Sequence, residues 1–194
     1  MKLLTKTINQ LDWLTTSLLF VKKHLLVIST LGLVAGVGRV IQLGGFGAIS
    51  SSTHIVLEII IESARVFLFL YVLGLSDIGK GLSRIKTFFV SNETRRSSVN
   101  AARHNLRKNW LGIIINLVAF SLIAVAINYV INLLAYETCL YLTLKADGIL
   151  SPSSSEWTIL LFFKNLSVIP LTVVFNAVFV LWLTNKMQVR ITQN

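Results

Sequence analysis

Three charged side chains stand inside a long apolar stretch of this sequence, residues 55–75. Glu58, Glu62 and Arg65 are spaced i, i+4 and i+7, so a helix places all three on one face. A helix of about 21 residues rises roughly 30 Å, which is the thickness of the hydrocarbon core of a bilayer. Charges inside such a span are costly. Each one is therefore predicted to pair with another charge or to serve an ion or an anionic ligand.

Further polar residues of the apolar segments come to a similar depth. At about 1.5 Å per residue from the predicted outer ends of the spans, they lie roughly 5 to 10 Å below the outer surface, and Arg65 lies deeper. The residues at the common level are Arg39, Glu58, Glu62, Lys164, Asn128 and Asn132. Two glutamates against three basic residues leave about one positive charge, unless a glutamate is protonated.

Two interpretations of this polar cluster stay open. In the first, the residues pair and hydrogen-bond to fix the register of the helices, within one chain or between subunits, and Lys164 and Glu58 extend to the interface. In the second, they line a water-filled vestibule that is open to the outside and serves an ion or an anionic ligand.

The composition explains why such charges are embedded in apolar sequence. Hydrophobic residues make up 54% of the 194 residues and charged residues only 13%. This balance is typical of a polytopic membrane protein and excludes an ordinary soluble domain. We therefore predict an all-α integral membrane protein, a four-helix transmembrane bundle that forms a single domain over residues 1–194.

The elements of this bundle follow from hydrophobic periodicity. Residues 1–24 are predicted to form an interfacial amphipathic helix with Trp13 near the lipid headgroups. The loop at residues 76–109 is predicted to form two amphipathic helices with basic outer faces. Pro170 is expected to kink the last span. The four spans are predicted at about 25–43, 55–75, 110–134 and 159–183.

Small residues mark one side of the first span. Gly32 and Gly36 form a small-xxx-small pair, on the same stripe as Ser29 and Arg39, which permits close approach of another helix. The partner of this stripe is either the neighbouring span of the same chain or a second copy in a homo-oligomer.

The distribution of charge predicts the orientation. Most of the 18 Lys and Arg residues fall in the N-terminal segment, the loop at 76–109 and the C-terminal tail, whereas the opposite side has Lys145 alone. By the positive-inside rule, both termini and this loop are cytoplasmic, as in a multi-pass protein of a cell inner membrane. The net charge of +10 then reflects this rule and attraction to anionic membrane lipids. Direct nucleic-acid binding is not expected, because no aromatic stacking platform is interleaved with the charges.

Catalytic motifs are absent from the sequence. It contains no phosphate-binding P-loop, no zinc-protease motif, no His/Cys metal cluster and no serine-nucleophile motif. We therefore predict no enzymatic activity, no catalytic residue, no metal and no cofactor. Cys139 is the single cysteine, so it cannot form a disulfide within the chain.

Two functions remain. The first is a homo-oligomeric membrane scaffold or sensor whose basic loop recruits a soluble cytoplasmic protein or lipid. The second is a small ion channel or transporter subunit built on the buried charges. The inner halves of the spans are almost wholly apolar, for example at 66–75, which favours the scaffold. The basic residues predicted to bind the partner or lipid are Arg95, Arg96, Arg103, Arg107 and Lys108.

The overall format resembles that of a known family. A short, basic chain with four spans, both ends inside and a basic loop such as 95–108 resembles the membrane subunit of the Kiwa anti-phage system of bacteria. The resemblance implies antiviral defence by a membrane oligomer that senses phage-related events at the envelope. It also implies a soluble, DNA-binding effector held at the inner face. No site residue carries over from it.

Overall fold

The computed structural model describes residues 11–187, and within that range the chain is helical with no β-strand. The predicted all-α class is confirmed. The helices of the described range are α1 Asp12–Lys23, α2 Leu25–Gln42, α3 Ser51–Leu73, α4 Ile78–Val90, α5 Asn92–Lys108, α6 Trp110–Asn132, a π-helical turn Leu133–Glu137, α7 Leu140–Ala146, α8 Trp157–Leu166 and α9 Val168–Leu183. The first ten residues of the predicted interfacial helix and the tail from residue 188 lie outside the described residues.

Three helical stretches of the described chain are long and apolar enough to cross a membrane. They are Leu25–Gln42, Trp110–Glu137 and Trp157–Leu183, at the positions of the predicted first, third and fourth spans. Helix α3 has 23 residues but carries Glu58, Glu62 and Arg65, and it is not among the three.

The chain divides into two compact units. Within the described range, the first unit consists of residues 11–23, 69–121 and 173–187, and the second of residues 24–68 and 122–172. Helices α3, α6 and α9 contribute residues to both units.

Aromatic packing forms the core of the first unit. Trp13 is buried, and its ring centroid lies 4.5 Å from those of Phe175 and Phe179. The backbone N–H of Leu14 donates to the side-chain Oδ1 of Asn116 at 3.1 Å, which caps the first turn of α1. Trp13 was expected near the headgroups, but it is enclosed by aromatic side chains of its own chain.

Helices α4 and α5 occupy the basic loop and are held by local caps. Asp77 Oδ1 accepts from the Lys80 backbone N–H at 3.0 Å, and Ser91 Oγ accepts from the Thr94 N–H at 3.2 Å. A Cβ at Gly81 would collide with the Leu70 carbonyl oxygen. The end of α3 and the start of α4 therefore pack backbone against backbone.

Close packing of α2 on α8 organises the second unit. A Cβ on Gly32 would lie 2.9 Å from the Asn165 carbonyl oxygen, and one on Gly36 would lie 3.1 Å from the Phe162 ring. The fourth span is divided at Ser167, between α8 and α9. Pro170 stands in the first turn of α9, where its missing N–H is tolerated.

Candidate functional site

An ion pair joins the end of α2 to α3 in the second unit. Arg39 Nη1 lies 3.0 Å from Glu58 Oε2. Gln42 completes a triangle with them: its Oε1 accepts from Arg39 Nη1 at 2.6 Å, and its Nε2 donates to Glu58 Oε2 at 2.7 Å. The carboxylate thus receives donors from two side chains of α2, which fixes α2 and α3 at this level.

The ion pairs continue along α3. Glu62 Oε1 lies 4.0 Å from Arg39 Nη2 and also pairs with Arg65. Arg65 Nη2 then donates to Asn165 Oδ1 on α8 at 2.8 Å. Arg39, Glu58, Glu62 and Arg65 form an alternating series of charges, called here the ion-pair ladder. Its formal charge is zero, so no protonated glutamate is needed to balance it.

Three of the residues assigned to the cluster from sequence lie outside this ladder. Lys164 is half-buried and makes no ion pair with an acidic residue of the described chain. Asn128 donates to the Ala124 carbonyl of its own helix at 2.8 Å. Asn132 is exposed. The predicted cluster is therefore reduced to its four members on α2 and α3.

Three residues of the network were not assigned to the site from sequence. Gln42, Asn165 and His54 take part in it, His54 through its carbonyl, which accepts from Gln42 Nε2 at 3.3 Å. Gln42 and Asn165 are both buried. In the sequence, Gln42 is a polar amide at the end of an apolar helix, three residues after Arg39. Asn165 is a polar amide within an apolar helix, next to Lys164.

The carboxylates of the ladder are on the surface of the chain. The side chains of Glu58 and Glu62 are 44% and 50% exposed, against 19% for Arg39 and 26% for Arg65. Apolar residues of α3, Ile59 among them, are exposed on the same helix. The single chain thus leaves two carboxylates about half exposed on a helix whose other exposed side chains are mostly apolar.

A second candidate site is the basic surface of α5 in the first unit. Arg96, Arg103 and Arg107 are spaced i, i+7 and i+11, so they share one face of the helix, opposite the buried Ser98 and Asn105. Arg95 and Lys108 flank this face, and all five basic residues are exposed. None of them makes an ion pair with an acidic residue within residues 11–187. We call the three arginines of the shared face the arginine stripe.

The opposite side of α5 is fastened to the end of α9. Asn105 Nδ2 donates to the Leu183 carbonyl and to Asn185 Oδ1, each at 3.0 Å. Arg107 and Lys108 lie in the last turn of α5, where positive charge complements the helix dipole. The arginine stripe is therefore presented from a helix whose other face is fixed.

Gly32 and Gly36 are packed against α8 of the same chain. A second copy therefore does not need this stripe, and in a homo-oligomer the contact between subunits has to lie elsewhere.

Within 11–187, no group of three or more His, Cys, Asp or Glu side chains is placed to hold a metal ion. Cys139 is exposed as a free thiol.

Comparison with known proteins finds no matching family, no matching curated protein and no matching solved structure.

Proposed function

We propose that this chain is a four-span scaffold of a bacterial inner membrane that assembles with copies of itself and recruits a soluble cytoplasmic protein. The observation that carries this proposal is the arginine stripe, three exposed guanidinium groups on one face of a helix whose other face is fastened. Arginine presents several fixed donors, which suits acidic side chains of a protein partner.

The span that completes this scaffold is α3, at the position of the predicted second span. Its 23 residues are long enough to cross the hydrocarbon core, and its charges are the only obstacle. Pairing in the ion-pair ladder reduces the cost of placing them there, because each arginine has a carboxylate neighbour. With α3 as a span, both termini and the α4–α5 hairpin lie on the cytoplasmic side.

The exposure of the ion-pair ladder supports the proposal of self-assembly. Uncovered carboxylates in lipid are unfavourable, and Glu58 and Glu62 are about half exposed in the single chain. A second copy presents the same alternating charges, so related copies can set arginine against glutamate across a symmetric contact. We therefore propose that the homo-oligomer forms around the ladder.

A crosslinked pull-down from membranes tests recruitment. The test variant carries Arg96→Glu, Arg103→Glu and Arg107→Glu, which reverses the stripe. The matched control carries Lys22→Glu, Lys23→Glu and Lys86→Glu, which makes the same change in net charge at other exposed positions. Recovery of one dominant soluble protein with the wild type and the control, and its loss with the test variant, is the expected result.

Topology has to be measured in the same variants, because reversal of basic residues also alters the charge distribution that sets membrane orientation. Labelling of Cys139 with a membrane-impermeant maleimide reports the predicted outer side. Recovery of the same partner by all three proteins, with unchanged labelling, would show that the arginine stripe does not recruit it.

The alternative function is a small ion channel or transporter subunit. The observation that favours it is again the ladder, where Glu62 is 50% exposed and the buried Arg65 Nε has no hydrogen-bond partner among the described residues. In that case water, not a second copy, covers the carboxylates. Ion leak in liposomes that is lost on Glu62→Gln would support conduction and count against the scaffold.

The biological role we propose is anti-phage defence, on the basis of the resemblance to the Kiwa membrane subunit. Phage plating on cells that express the chain together with its recovered partner tests this role. Equal phage plating on cells with the wild type and on cells with the stripe-reversed variant would show that defence does not depend on recruitment by the arginine stripe.

A further inference from the structure

The first unit contains a cavity of about 380 Å³ that the functions above do not use. Side chains of α3, α4, α5 and α9 line it, and most of them are apolar, including Phe69, Ile85, Phe88, Val99 and Leu181. Its volume falls in the range of small-molecule sites, about 300–1,000 Å³.

Two basic residues line the same apolar cavity. They are Arg84 of α4 and Lys186, which follows α9, and the described lining contains no acidic residue. Arg84 Nη1 donates to the Leu73 carbonyl at the end of α3. This bond fixes the guanidinium group beside a cavity whose accessible wall is almost wholly apolar.

The backbone of Lys186 is also fixed. Asn185 has a left-handed φ of 55°, its N–H donates to the Trp182 carbonyl at 3.1 Å, and the Lys186 N–H donates to the Leu181 carbonyl at 2.8 Å. This is the pattern of a Schellman cap. Asn105 adds a hydrogen bond to Asn185 Oδ1 at 3.0 Å. The Arg84 side chain is thus bonded to the end of α3, and the Lys186 backbone to the end of α9.

We propose that this cavity binds one acyl chain of an anionic phospholipid, whose phosphate contacts Arg84 and Lys186. An apolar cavity with two basic side chains matches an amphiphile that has an apolar chain and a negative headgroup. A soluble anion would leave the apolar walls unused, and a neutral lipid would leave two positive charges without a counter-charge. Leu82 and Phe89 of α4 are 57% and 72% exposed, which suits contact of this helix with the bilayer from which the lipid enters.

The inference rests on the membrane location in the proposed function but not on partner recruitment. Extraction of membranes with alkaline carbonate checks that location separately. Release of the chain would refute the location itself, whereas retention in the pellet together with no lipid selectivity would refute only the lipid site.

The test measures phosphatidylglycerol retained by the full chain after exchange into phosphatidylcholine nanodiscs, by native mass spectrometry. The wild type is expected to retain about one phosphatidylglycerol per chain. Lys186→Gln is expected to lower retention about fivefold, the size expected for loss of one basic residue near an anionic headgroup. Lys86→Gln, an exposed lysine of α4 that does not line the cavity, is the matched control and is expected to stay within about twofold.

A cavity-filling variant separates the site from surface adsorption. Val99→Trp keeps every charge but fills the cavity, and Val99 is exposed enough to accept a larger side chain. We expect it to lower phosphatidylglycerol retention as far as Lys186→Gln does. Unchanged retention in Val99→Trp, an equal loss in Lys86→Gln, or equal retention of phosphatidylcholine would each overturn the proposal. A co-purifying protein segment that displaces phosphatidylglycerol from the cavity would also overturn the proposal.

Discussion

Arg39 and Glu58 connect two helices of the second unit, with 3.0 Å between Arg39 Nη1 and Glu58 Oε2. Gln42 bonds to both partners, so the pair is held in a triangle of hydrogen bonds. Since α3 departs from the short loop after α2, this triangle determines how the two helices align at that end. The contact therefore has a structural role, whatever covers the carboxylates.

The first prediction concerns Glu58→Gln. The change keeps the size of the side chain but removes the negative charge that pairs with Arg39 and accepts a hydrogen bond from Gln42. We expect a loss of about 1 kcal/mol for a partly exposed charged hydrogen bond. For a chain of this size we expect the thermal midpoint in detergent to fall by about 2–4 °C.

The control for this prediction is Lys164→Gln in the same unit. Lys164 makes no ion pair among the described residues, so a change of less than about 0.5 kcal/mol is expected. A double-mutant cycle with Arg39→Gln should show coupling with Glu58→Gln. Additive midpoints in that cycle would contradict the ion pair.

The second prediction concerns Gly32→Ala. The added methyl would lie 2.9 Å from the Asn165 carbonyl oxygen, which is backbone and cannot move alone. We expect destabilisation of about 1–3 kcal/mol from overpacking, measured by thermal unfolding in detergent. Gly79→Ala is the matched control, because its Cβ would meet only the Asp77 Oδ1 at 3.3 Å. A changed pattern of crosslinked oligomers with unchanged unfolding would instead place Gly32 between subunits.

Part of this architecture could be predicted because it depends on one helix at a time. The spacing of Glu58, Glu62 and Arg65 fixes their common face as soon as α3 is helical. Arg39 was assigned to the same level by its distance from the end of its span. Length and hydropathy identify three of the spans without reference to neighbouring helices.

The remainder depends on how each helix is rotated against its neighbour. On α8, Asn165 and not Lys164 joins the ladder, because Gly32 and Gly36 set which side of α8 meets α2. Trp13 was expected at a surface, but Phe175 and Phe179, about 160 positions away in sequence, enclose it. Neither arrangement leaves a periodic signal in its own segment.

The third prediction concerns Asn105→Ala. The change removes two hydrogen bonds, to the Leu183 carbonyl and to Asn185 Oδ1, that fasten α5 to the end of α9. We expect faster amide hydrogen exchange along α5, measured by mass spectrometry. Asn100→Ala on the exposed side of α5 is the control and should leave exchange unchanged. Equal exchange in both variants would mean that Asn105 does not hold the helix.

The fourth prediction concerns Asp77, which caps α4. The hydrogen bond from the Lys80 backbone N–H holds the pKa of the Asp77 carboxyl below its ordinary value, with further help from the Lys80 ammonium. Because the pKa is lower in the folded state, its contribution to stability is complete above about pH 4 and is lost as the pH falls through the folded value. Hydrogen exchange at the start of α4, corrected for the intrinsic effect of pH, should therefore accelerate under acid in the wild type. In Asp77→Asn, which keeps a capping oxygen without a titratable group, exchange should be independent of pH over the same range. An identical acid response in the two proteins would show that another group titrates.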